Sequence, residues 1–121
     1  MRVLITENKF QQTLQNQIDR ILKELKIEAE NMPEEFDDQL THWIDNVENI
    51  KIKQIEKKHS NYYKATTYVL DVDVTIDSVF GFHLMPIFTQ VEWELKQIFG
   101  GTISFILNEI NVTNINKNKD W

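Results

Sequence analysis

The chain has no cysteine, only three glycines and only two prolines. The first absence removes disulfides, thiolate metal sites and cysteine nucleophiles together, and it suits a reducing compartment. With so little glycine there is no loop to cradle a phosphate. The one glycine pair, Gly100-Gly101, ends a helical pattern, where carbonyls rather than N–H groups point outward. Long apolar runs are missing too. The opening MRVLITENKF has no apolar core of signal-peptide length, and nothing later approaches the roughly 18 apolar residues of a spanning helix, so no membrane partner is expected. Basic residues are the minority, 13 against 19 acidic, for a net charge of −6. That balance argues against direct nucleic-acid binding, which needs a clustered basic surface. Lys51, Lys53, Lys57 and Lys58 do cluster, but they alternate with Ile50, Ile52 and Ile55 and read as the solvated face of a strand.

What is present is ordinary for a packed protein: 121 residues, 41% apolar and 26% charged. Length and composition predict a single domain over 1–121, with 114–121 a polar C-terminal tail. Arg2 to Ile5 alternates weakly and reads as a short strand, after which Thr6 can cap a helix. Phe10, Leu14, Ile18, Ile21, Leu22 and Leu25 recur at helical spacing over Glu7 to Ala29, with Gln15, Asp19, Lys23 and Lys26 on the other side. Pro33 suits the first turn of a second helix, whose stripe is Phe36, Leu40, Trp43, Ile44 and Val47.

From Asn49 the period falls to two. IKIKQIEKK, a turn at His59-Ser60-Asn61, and YYKATTYVLDVDVTID together predict a long antiparallel hairpin. Leu70, Val72, Val74 and Ile76 face the core, with Asp71, Asp73, Thr75 and Asp77 opposite. Pro86 starts a third helix and Gly100-Gly101 stops it; Phe88, Val91, Leu95, Ile98 and Phe99 share its apolar face. The last strand breaks its alternation, with Ile103, Phe105 and Leu107 on one side and Ile106, Ile110 and Val112 on the other. It is buried on both faces or carries a bulge near Asn108. The fold class is α+β: a mainly antiparallel sheet with a long hairpin, packed by two or three amphipathic helices.

No constellation completes a catalytic or cofactor site. Asp38 and His42 lie one helical turn apart but lack the second histidine of a zinc helix. Asp71, Asp73 and Asp77 are too widely spaced along a flat strand for one small ion, and pairing with Lys51 or Lys53 accounts for them. Ser60, Ser78 and Ser104 sit in no nucleophile elbow, and His83 between apolar neighbours reads as a core histidine. Asn111-Val112-Thr113 matches the glycosylation sequon by chance. The expectation is a protein that is not an enzyme, has no cofactor or metal, and takes no small-molecule ligand.

Two features are less ordinary. Between Glu28 and Ile50 stand Glu28, Glu30, Glu34, Glu35, Asp37, Asp38, Asp45 and Glu48 without one lysine or arginine. This block, with Glu34, Glu35, Asp37 and Asp38 at its centre, is either a solvated face or a surface that imitates a nucleic-acid backbone. The other is Trp93, which falls on the polar side of its helix. Tryptophan and tyrosine are enriched at interface hot spots, so Trp93, the hairpin-tip pair Tyr62 and Tyr63, and Trp121 in the tail are candidate protein-contact residues.

The opening VLITENKFQQTL resembles the start of many small bacteriophage proteins. The order of two helices, a long hairpin and PIFTQVEWELKQIF is similar to the small phage neck and tail-completion proteins. The resemblance implies a virion structural protein, made in the host cytoplasm, that assembles in rings with copies of itself and other virion proteins. The alternative is an acidic inhibitor, a nucleic-acid mimic that binds a host nucleic-acid-binding protein through the acidic block.

Overall fold

A computed structural model describes residues 4–31, 44–62, 64–78 and 84–115. Helix α1 spans Leu4–Asn31, a single 3-10 turn covers Ile44–Asn46, strands β1 (Val47–Ser60) and β2 (Ala65–Ile76) form the hairpin, and helix α2 (Met85–Phe99) leads to strand β3 (Ile103–Asn114). The sheet order is β1-β2-β3. β1 and β2 are antiparallel. The α2 crossover returns the chain so that β3 lies parallel to β2, which makes the sheet mixed. The class is α+β with a long hairpin, as the patterning predicts.

α1 begins earlier than expected. Leu4 and Ile5 are helical, so there is no strand at those positions, and Thr6 lies inside the helix rather than at its cap. Extending an existing helix fixes one further residue per hydrogen bond, so these residues join α1 at little cost once its first turn has formed. Its inner stripe is as read: Leu14, Ile18, Ile21, Leu22, Leu25 and Ala29 are buried. Phe10 sits half-buried in a ring cluster, its centroid 4.8 Å from Tyr68 and 6.2 Å from Phe99.

Most of the second predicted helix, including Phe36, Leu40 and Trp43, lies outside the described residues. Its end differs from the prediction. Ile44 is in the 3-10 turn and Val47 is already in β1, paired with Ile76. Both side chains are buried, because spacing of three serves a helical turn and a turn-to-strand junction alike.

β1 keeps its apolar side inward by breaking its period twice. Register shifts leave Glu48 and Lys53 as extra residues, so Val47, Ile50, Ile52 and Ile55 all face the helices despite spacings of three, two and three. Opposite them Leu70, Val72, Val74 and Ile76 are buried. The hairpin turn comes later than His59-Ser60-Asn61. His59 and Ser60 still pair with Thr66 and Ala65, and Lys64, at φ 49°, supplies the left-handed residue that reverses the chain.

α2 starts with Pro86 in its first turn and ends where the Gly100 N–H donates to Lys96 O at 2.7 Å, with Gly100 at φ 65°. Phe88, Val91 and Leu95 are buried as read, together with Ile87. Ile98 is exposed, contrary to its place in the predicted stripe. Phe99 turns into the ring cluster with Phe105, 5.3 Å away, which leaves Ile98 about 100° round the helix.

Both helices lie on one face of the sheet, and the other face carries a polar ladder. Asn108 donates to Asp71 at 2.8 Å, Asn111 donates to Asp73 at 3.3 Å, and Lys53 approaches Asp73 at 3.9 Å. The aspartate stripe is therefore held by both flanking strands, and Lys51, Lys53, Lys57 and Lys58 are solvated as expected.

Candidate functional site

α2 is buried on one side by the sheet and α1, and the opposite ridge runs Met85, Thr89, Trp93 at steps of four. Met85 is 68% exposed and Trp93 54%. The predicted position of the tryptophan, opposite Val91 and Leu95, is the observed one, and no described residue stacks on its ring. Met85 was not legible as a partner for it, although its place one residue before Pro86 and two turns before Trp93 is the signal that marks the ridge.

Between the start of α2 and the far half of β3 lies an open cleft of about 610 Å³. Ile76, Leu84, Met85, Phe88, Leu107 and Val112 line it together with Asn108 and Glu109, so its wall is partly apolar and partly polar. Val112 reaches this side because β3 carries an extra residue: Val72 pairs with Glu109 and Asp73 with Asn111, leaving Ile110 as a bulge. The bulge expected near Asn108 thus falls two residues on, and it returns Val112 to the helix side while Ile106 stays on the open face.

Helix side chains bind the edges of the sheet. On the β1 edge, Gln15 donates to Ile50 O at 2.8 Å and accepts from Ile52 N at 2.8 Å, and Gln11 donates to Ile52 O at 3.2 Å. Gln15, on the side of α1 where the periodicity predicts water-facing residues, instead occupies outward backbone groups of β1, as an edge strand requires. On the β3 edge, Lys96 donates to Ile103 O at 3.1 Å and Glu92 accepts from Leu107 N at 2.7 Å. Burial pushes the Glu92 carboxyl up from its ordinary value, and the Leu107 N–H partly offsets this. Sequence periodicity cannot find such residues, since a glutamine or glutamate on a helix flank looks the same whether it meets water or a strand edge.

Tyr62 is exposed at the hairpin turn, on a different element from Trp93, and the structure does not gather the two into one site. Tyr63, Trp121, Glu34, Glu35, Asp37 and Asp38 lie outside the described residues, as do Asp38's neighbour His42 and His83. The described flanks of the acidic block, Glu28, Glu30, Asp45 and Glu48, are exposed. Among the described residues no group of three or more His, Asp or Glu side chains is placed to hold a metal ion. No described helix is long and apolar enough to cross a membrane. No protein-family model, curated protein or solved structure matches the chain.

Proposed function

We propose that this chain is a non-enzymatic assembly protein that works through protein–protein contacts, of the kind found in small bacteriophage neck and tail-completion proteins. The observation that carries the reading is the ridge of α2, where a tryptophan more than half exposed shares a surface with a methionine exposed still further. Tryptophan anchors interfaces because a large rigid ring buries much area at little entropic cost, and methionine adapts to irregular partners.

The partner that covers this ridge is another virion protein or another copy of the chain. Trp93→Ala leaves folding nearly unchanged, since a solvent-facing ring contributes little to the isolated domain, while a buried anchor contributes more than about 2 kcal/mol to an interface. Sedimentation of parent and variant over a concentration series, with thermal melts of both, tests this. The expected outcome is equal melting and weaker association. A variant that melts lower but associates as before assigns the indole to folding and removes the reading.

A further inference from the structure

We infer that residues 116–121, which follow the last described residue Ile115, fold back along β3 as a short antiparallel strap and lay Trp121 in the cleft beside α2. The inference rests on the sheet side of that cleft and on the β3 edge, not on the Trp93 ridge.

The two edges of the sheet differ. β1 is closed along its middle by Gln11 and Gln15, and it carries two bulges and four lysines. Such devices keep further strands off an edge. β3 is covered by side chains only in its first half, where Lys96 and Glu92 bond to Ile103 and Leu107. Farther along, Asn108 and Asn111 turn their side chains to Asp71 and Asp73 instead. The backbone directions follow from the ladder. Ile115 N–H donates to Ile76 O, and alternation along a parallel pair then turns Thr113 toward β2 and Val112 away from it. Glu109 and Val112 stand opposite Val72 and Val74, two residues apart on β2, so the Ile110 bulge leaves the edge evenly spaced and a regular strand fits it.

Three observations single out the chain's own continuation. The first is where it leaves the sheet. Asn114 donates to Ser78 O at 2.7 Å and accepts from Ser78 N–H at 3.1 Å, and Ile115 is bonded to Ile76, itself part of the cleft wall. The next six residues therefore start from a fixed point beside the cleft. A strand tethered this closely has an effective concentration on the order of millimolar, which a separate chain has to exceed to displace it.

The second is the turn. Asn116 and Asn118 are residues that reverse a chain readily. Among the described non-glycine residues only Lys64 has a positive φ, so Ile115 cannot open a two-residue hairpin turn of the primed kind. A four-residue loop from Ile115 to Asn118 remains, and it sets Val112 opposite Trp121.

The third is the alternation of the strap. In that register Trp121 shares the cleft side with Val112, while Asp120 lies opposite Thr113 on the open face. A loop shorter by one residue would turn Asp120 into the cleft beside Glu109, where like charge and burial both disfavour it. Trp121 instead meets Val112, Leu107 and Phe88, and Val112 is 39% exposed without it. A strap so placed also keeps the far half of β3 from pairing with other chains.

The test is amide hydrogen exchange, resolved by residue, on the full chain and on Trp121→Ala. The Val112 amide has no bond to β2, so the strap alone protects it, and it is expected to exchange at least about tenfold more slowly in the parent than in the variant. The Thr113 and Ile115 amides, held by β2, are expected to exchange alike in both. Lys119→Pro, which removes an N–H from the strap and touches no core residue, is expected to act as Trp121→Ala does. Trp93→Ala is expected to keep the parent's Val112 protection, so the fate of the α2 ridge does not decide this result. A Val112 amide that exchanges equally fast in the parent and in both strap variants overturns the inference. Protection that rises with protein concentration and survives Trp121→Ala overturns it as well, because it gives the edge to another chain.

Discussion

Glu92 joins α2 to the edge of β3 through a single carboxylate, and its two surroundings oppose each other. Burial disfavours the charged form, while the Leu107 N–H favours it, and the first is the larger because the pKa is raised. An acid that binds its proton more tightly when folded makes the native state more stable as pH falls through the window between its raised pKa and the ordinary carboxylate range. Above that window the ionised side chain carries the full burial cost. Glu92→Gln keeps an acceptor for Leu107 N–H without the charge, so it is expected to match or exceed the parent at neutral pH. The advantage should shrink as the parent is acidified through the window. Paired thermal melts across pH check this, and a variant less stable at neutral pH would show that the charged hydrogen bond outweighs desolvation.

β2 is the element on which the others depend, since β1 and β3 pair with its two edges and its inner side chains share one buried cluster with those of both helices. Leu70, Val72 and Val74 are essentially inaccessible to water. Val72→Asp buries a carboxylate with no partner, a cost of several kcal/mol against a whole stability of about 5–15. The variant is expected to lose cooperative melting, read by circular dichroism. Retained melting near the parent temperature would mean that the wrong face has been assigned to the core.

At this scale the sequence was readable where period and burial coincide. The stripe of α1, the alternation of β2 and the Pro-to-Gly limits of α2 follow from side-chain spacing alone. The bulges at Glu48 and Lys53 did not emerge, because spacings of three are ambiguous until a partner strand sets the register. The parallel placement of β3 depends on where α2 packs, which no local pattern encodes. The exposed tryptophan was legible as a break in amphipathicity. Its neighbour Met85 and the edge-binding glutamines were not, because their roles depend on contacts with distant strands.

Over the whole molecule, charge is the remaining variable. The acidic block begins at Glu28 near the end of α1 and continues to Glu48 in β1, and its described members are solvated. If the block engages a basic partner in place of a nucleic acid, replacing Glu34, Glu35, Asp37 and Asp38 by their amides abolishes that binding without changing the melt. The parent's binding would also fall steeply with salt, since exposed charges are screened over about 8 Å at physiological ionic strength. Calorimetric titration with a DNA-binding protein of the host, at two salt concentrations, checks both. Equal binding by parent and amide variant would reduce the block to a solvated surface.

The parallel return of β3 also sets an order of events during synthesis. The hairpin can close from neighbouring segments, but β3 cannot join β2 until α2 has been made and has crossed the sheet. At ribosomal speeds of about 5–20 residues per second, the second edge of β2 therefore stays open for an interval on the order of seconds, with Leu70, Val72 and Val74 beside it. Nascent chains halted before Ile103 would hold that edge open indefinitely, and they are the species from which misassembly of this protein should arise.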